Sequence, residues 1–489
     1  MSTTAATKPR ARRKKVMAAD SPPQASAATS DFNTLGGGSS SYDGANDTHA
    51  RSTLAIPTNS WREIDRFTRT QLTAKIRALE ANLPMLTRIK SKIGQHSVGK
   101  GVFVRPTTAD AEWNREAQRL FEEWASNPGV YSIDASRDHY EDQRLVAETM
   151  VGDGEYFAAL VKSENGAPMV QPLDAFEVET PLGMPRADLA NYIDGVRVNA
   201  YNRPVAYAVR ELQRPGTSLQ TTFREVAAAD MIHVFRRRRA KQLRGLTWFF
   251  SGVNQGIDAL DLRALVTGTA KLHEAMGIVV KKSGKLERKG ALDKIKAHAS
   301  GATPADDDFK ALEKIYGGGM ISYLGQEGEI ELLNSSRPSQ NIREFILFLY
   351  AELAMACEVS FEVVYSLAAL GGATARGAME DAQWLFEMVM DKVVWRHSFP
   401  IYRWRIAKFM QEGRLRQCKD PTWWATSWRG PAKLTVDIGR TADSNIKLLK
   451  NGALTHSRYY DERGLDARAE LSEQIDFLAW LQAECAARG

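Results

Sequence analysis

The sequence predicts an α+β chain, mainly helical, on three observations. Two long stretches carry apolar residues at alternating spacings of three and four, a block between about 156 and 235 breaks into short β-rich runs, and helical periodicity returns from 378 onward. At 489 residues the chain has length for two or more domains. No stretch reaches the roughly 20 uninterrupted apolar residues of a membrane span. The basic N-terminus lacks the apolar core of a signal peptide, so no membrane association is expected. Cys357, Cys418 and Cys485 lie far apart without CxxC spacing, which points to reduced thiols and no zinc site.

The net charge of +6 and a pI near 9.0 invite a nucleic-acid reading. Lys8, Arg10, Arg12, Arg13, Lys14 and Lys15, with no acid among them, account for the whole excess. The rest of the chain is therefore balanced, and a body that grips DNA through many phosphates should itself be basic. Residues 1–40, rich in Ala, Ser, Thr, Gly and Pro, read as a disordered basic tail.

From 61 to 93 the pattern is helical, with a break expected at Pro84. Residues 94–101, ending Gly99, Lys100, Gly101, nearly spell a phosphate-binding P-loop. The match fails because Gly101 stands where a Ser or Thr must hold Mg²⁺, and because a helix precedes and a strand follows. Helices are expected over 112–125 and 137–150, then strands over 156–161, 170–178, 192–199, 204–209 and 231–235. Asp153 and Glu155 might be offered as paired catalytic carboxylates; in a glycine turn with no nearby His, they read as turn chemistry. Arg236, Arg237, Arg238 and Arg239 form the strongest basic patch of the body, suited to DNA, a partner or a neighbouring subunit.

The first long helix begins at Thr247, a capping residue, and carries Phe250, Val253, Ile257, Leu260, Leu265, Leu272 and Met276 on its stripe. It spans about 29 residues, or roughly 43 Å. The second opens near Asn341, with Glu344 in capping-box spacing, and shows Ile342, Phe345, Ile346, Leu349, Tyr350 and Leu353. Between them lies a charged α+β insert: Lys281, Lys282, Lys285 and Arg288 first, Asp306, Asp307 and Asp308 later, with strands at 278–280, 320–324 and 329–333. Gly371, Gly372, Thr374 and Arg376 mark a glycine-rich loop without a GxGxxG pattern. A third long helix is expected over 378–411, kinked at Pro400, and two or three helices after 442. Trp423, Trp424 and Trp428 read as packing residues. No catalytic or metal constellation emerges from the eight histidines, and no enzyme activity or cofactor is expected.

Several of these segments carry a resemblance. Residues Tyr42, Asp43, Gly44 and Ala45, the Val98–Gly99–Lys100–Gly101 turn, and Gly152–Asp153–Gly154–Glu155 before a strand form one series. His233, Val234 and Phe235 with Gln242 to Gly245 continue it, as do Asn451 to Thr455 with Gly464. In this order, from about 42 to 481, the chain resembles the portal proteins of tailed bacteriophages, in the lambda-like family. It departs where the family often has Asn-Tyr-Ser-Ser-x-Arg and this chain has Gly371 to Arg376, and at Ile438, which replaces the proline of a Val-Asp-Pro.

The resemblance implies a phage portal fold of wing, stem, clip and crown, and a ring, usually of twelve subunits, around a central channel in the virion. It would stand at one capsid vertex, after assembly in the bacterial host cytoplasm. It places the wing at 41–244, stem helices at 245–276 and 337–357, the clip at 277–336, a tunnel loop at 358–377, more wing at 378–435 and the crown at 436–489. Gly371, Gly372, Thr374 and Arg376 would then face the DNA channel, and Lys281, Lys282, Lys285 and Arg288 would dock the motor. Implied partners are double-stranded DNA, held loosely, the terminase large subunit, the major capsid protein and head–tail adaptor or neck proteins. Two alternatives are a nucleotide-driven enzyme using Gly94–Gly101 and a non-ring nucleic-acid-binding head protein.

Overall fold

The structure, a computed structural model, describes residues 64–181, 191–213, 220–276, 340–366, 372–433 and 438–488. The basic tail, Tyr42 to Ala45, the insert with Lys281, Lys282, Lys285 and Arg288, and Gly371 lie outside the described residues.

Helix α1 (Arg66–Asn82) starts on Asp65, whose carboxylate accepts from the Thr68 N–H at 2.7 Å. Helix α2 (Pro84–Ser97) starts on the expected breaker, where proline's missing N–H costs nothing. Gly94 lies inside α2; Gly99 and Gly101 then turn the chain at φ +62° and +130° into β1 (Phe103–Pro106). A helix C-terminus, with its carbonyls, therefore faces this turn. The N–H groups that a P-loop turns toward phosphate are not there, which removes the structural basis of the nucleotide alternative.

Helix α3 (Ala111–Ala125) is capped by Asp110, the one-turn α4 (Pro128–Tyr131) follows, and α5 (His139–Gly152) opens with a capping box between Asp138 and Glu141. Strand β2 (Glu155–Lys162) is central to an antiparallel sheet, between β3 (Pro168–Leu173) and β8 (Met231–Phe235). Its alternation divides the interior: Tyr156 and Ala158 belong to the main core, while Phe157 and Ala159 belong to a second, smaller one.

A four-stranded sheet closes that second core in the order β4 (Tyr192–Ile193), β5 (Val196–Val198), β6 (Pro204–Gln213), β7 (Gln220–Ala227). The expected strand over 192–199 is a hairpin, turned by Asp194 and Gly195 at φ +46° and +83°. Strand β7 was not expected, because Gln220 to Glu225 alternate no apolar residues strongly enough to read as a strand. The strand expected to 178 ends at Leu173.

Thr247 accepts from the Phe249 N–H and opens a 3₁₀ turn (Trp248–Ser251), after which α6 runs Val253–Met276. Helix α7 (Gln340–Ala356) packs antiparallel to it. Then come α8 (Phe361–Tyr365) and α9 (Gly372–Val393), which starts at Gly372 rather than Ala378. A π turn (Val394–Ser398) joins α9 to α10 (Phe399–Gln411). Pro400 cannot donate to the residue one turn back, and the widened turn before it absorbs the mismatch.

Strand β9 (Thr426–Arg429) returns to pair with β1, and α11 (Ile438–Lys450), α12 (His456–Asp461) and α13 (Ala467–Arg488) end the chain. Trp423 and Trp424 meet edge-on at 5.7 Å, and Trp428 lies 6.3 Å from Tyr402. The three cysteines are free thiols. No described helix is long and apolar enough to cross a membrane.

Candidate functional site

The features that resist a purely local account meet where the three- and four-stranded sheets give way to α6. Glu155, the first residue of β2, is buried. Its Oε1 accepts from Arg244 Nη2 at 2.6 Å and Arg69 Nη1 at 3.3 Å; its Oε2 accepts from the Gly245 N–H at 2.7 Å. Arg69 also donates to Asp194 at 2.7 Å, and Arg244 reaches the carbonyls of Val178, Asp194 and Ala175. Burial opposes the Glu155 charge, but Arg244 and Arg69 outweigh it and hold the carboxyl well below the usual range.

His233, 3.2 Å from Glu155 Oε2, has its pKa lowered by burial, more than Glu155 raises it. A neutral ring must then donate from Nε2 to Glu155 and accept at Nδ1 from the Tyr207 hydroxyl, 3.3 Å away. Reading Glu155 as turn chemistry with no His nearby was therefore wrong: the residue centres a buried ion cluster joining α1, β2, the β4–β5 turn, β8 and the lead-in to α6. Gly154 and Gly245 make the approach possible. A Cβ on Gly154 would sit 2.2 Å from the Leu246 carbonyl carbon, and one on Gly245 would sit 2.2 Å from the Gly154 oxygen.

Downstream of β8, the four arginines form less of a free patch than the sequence implies. Arg236 lies over Trp248 at 4.9 Å and donates to Glu358 at 2.9 Å; Arg238 lies over Phe250 at 4.5 Å. Arg237 and Arg239 are exposed. Glu358 follows α7 at φ +60°, a position that usually takes Gly or Asn. Its side chain gives the reason for a glutamate there: it ties the basic turn to the end of α7.

These two attachments fix one end of the α6–α7 pair. Gly252 lets the helices close, since a Cβ there would lie 3.0 Å from Ala356 Cβ. Val253, Ala259, Leu349, Leu353 and Ala354 are buried near this end. Farther along, Leu265 is 68% exposed and Phe345 and Phe348 are each 52% exposed. Among the described residues nothing covers these three side chains.

Thr374 and Arg376 lie in the first turns of α9 rather than in a loop, Thr374 exposed and Arg376 half-buried. No ion pair joins Arg376 to Glu380 among the described residues. Ala373, Ala375, Arg376 and Ala378 are good helix formers and support this early start, against the poorer propensity of Gly372, Thr374 and Gly377. Among the described residues no group of three or more His, Cys, Asp or Glu is placed to hold a metal ion.

Comparison with known proteins places this architecture. A family model described as "Phage portal protein, lambda family" matches residues 49–389. No curated protein sequence matches the chain. Among solved structures, the neck of an empty GTA particle computed with C6 symmetry is 14% identical, covering 80% of this chain and 93% of that one at a TM-score of 0.41. The neck of a native GTA particle computed with C12 symmetry is 12% identical, covering 80% and 90% at 0.40. An HK97 family phage portal protein from Corynebacterium diphtheriae is 9% identical, covering 60% and 80% at 0.28. At these scores the structural likenesses carry no argument about symmetry, and the assignment rests on the family match. That match takes in the three- and four-stranded sheets, the ion cluster, the paired helices and most of α9, and by it this chain belongs to the lambda family of phage portal proteins.

Proposed function

We propose that copies of this chain close into a ring, of twelve subunits, around a channel at one vertex of a phage capsid. Double-stranded DNA is packaged and later ejected through it. The observation that carries this reading is the α6–α7 pair, rooted in the core at one end and with Leu265, Phe345 and Phe348 exposed farther along. In a ring each pair would bury its stripes against its neighbours, at about 25 cal/mol per Å² of apolar surface. The segment joining the two helices, 277–336, is the clip, where Lys281, Lys282, Lys285 and Arg288 meet the terminase large subunit and later the adaptor or neck proteins. The major capsid protein surrounds the wing, and α11 to α13 form the crown. Gly371, Gly372, Thr374 and Arg376 face the channel where α9 begins. A charge-balanced body suits DNA that must slide, because many phosphate contacts would hold it.

Class averages of the purified full chain by electron microscopy test the reading. A closed ring with a central hole is expected; a monodisperse monomer at high concentration would overturn it.

A further inference from the structure

One face of α9 is unlike the rest of the surface. Glu380, Trp384, Glu387 and Asp391 recur at spacings of four and three, with Asp381 beside them, so they share one side of the helix, and Trp395 follows in the π turn that continues it. The opposite side, with Ala382, Leu385, Phe386, Val389 and Val393, is buried in the main core. Trp384 is 77% exposed and Trp395 53%. Of the four acids, only Glu387 makes an ion pair among the described residues, with Lys433 at 3.4 Å. Burial, then the neighbouring Glu387, raises the pKa of the Asp391 carboxyl above its ordinary value, and the adjacent Lys392 offsets this only in part. Tryptophans standing in water beside unpaired acids have the composition of an interface anchor and its charged surround.

The complement lies on the same chain. The turn after β8 carries Arg236, Arg237, Arg238, Arg239 and Lys241 in six residues with no acid among them. Its arginines already pack by laying guanidinium groups over rings: Arg236 on Trp248, Arg237 on Phe235, Arg238 on Phe250. Arg237 and Lys241 are exposed, and Trp384 stays exposed too, so the turn does not cover the strip within one copy. We propose that the acidic–tryptophan strip of α9 docks the basic turn 236–241 of a second copy, head to tail. This inference rests on the ring reading and names one of the contacts that closes the ring. It also gives the arginine turn, open between DNA, a partner and a neighbour on sequence grounds, to the neighbour.

Charge exchange in the full chain tests it. One variant carries Glu380→Lys, Asp381→Lys and Asp391→Lys, a second carries Arg237→Glu and Lys241→Glu, and a third carries both sets. Assembly is followed by sedimentation over a range of concentrations. Either set alone should raise the concentration for half-assembly about tenfold or more, and the combination should restore it to within about threefold of the parent. Trp384→Ala should weaken assembly in the same direction. A parent ring indifferent to all variants overturns the docking and leaves the ring standing. Weakening by the α9 set without rescue by the turn set means another occupant and overturns it too, as does equal weakening on deletion of residues 1–40. A parent chain that never assembles defeats the ring reading itself.

Discussion

At the scale of single residues, the Glu155 cluster shows what buried charge does when it is fully paired. Four groups, Arg69, Arg244, His233 and the Gly245 N–H, converge on one carboxylate, and Arg244 also donates to three backbone carbonyls. Removing the negative charge leaves Arg69 and Arg244 with Asp194 as their shared acid, so Glu155→Gln should cost about 3 kcal/mol of unfolding free energy. Urea denaturation would read this, and a loss under about 1 kcal/mol would show that the cluster is not a fastener. A second buried node behaves differently with pH. His139, stacked on His397 at 5.4 Å, is pushed down to about 3 by burial first and by His397 second. Below pH about 6.5 the unfolded chain takes up a proton there that the native chain refuses, so stability falls as pH drops from 6.5 toward 5. His233 and His96 contribute with the same sign. His139→Gln should flatten the slope of unfolding free energy by about one proton, or about 1.4 kcal/mol per pH unit; an unchanged slope would reject the assignment. None of this was legible in the sequence. Glu155 lies 86, 78 and 89 residues from Arg69, His233 and Arg244, and no local spacing records such a meeting.

At the scale of elements, legibility followed the range of the forces involved. Pro84 as a breaker and the strand at Met231–Phe235 are local decisions, and each stands where the sequence put it; Thr247 caps as expected, but it opens a 3₁₀ turn, and the long helix starts only at Val253. Strand β7 was hidden because its register with β6, from Ala206↔Ala227 to Gln213↔Gln220, depends on a partner supplied by tertiary structure. The π turn was half legible: Pro400 announced a disturbance and left its form open. The start of α9 is where the channel proposal can be tested. Replacing Gly371 and Gly372 by alanine should extend helical preference into residues proposed to face the channel. Rings should still assemble, while DNA retained per head falls. Arg376→Ala should act the same way more mildly, since one phosphate contact per subunit is weak alone. Packaging at parental levels by both variants would make this segment a linker.

At the scale of the whole molecule, the resemblance read from short segments and the family match agree on the kind of protein, and α+β with dominant helices holds across the described residues. The candidate site was legible only in outline, because its residues are set by contacts between elements far apart in the chain. Strand β2 adds a consequence for how the molecule comes apart. Its odd and even side chains are shared between two interiors, Phe157 and Ala159 on one side, Tyr156 and Ala158 on the other. Neither interior can melt alone without baring a wall that the other still needs, and a slip of one residue would exchange the contents of both. Heat should therefore take the two apart in a single calorimetric transition, with amides of β2 among the last to exchange with solvent. Two separated peaks would mean the partition is looser than its packing indicates. The shared strand acts as a party wall: strain on one chamber is felt at once by the other, and no half of the subunit yields first.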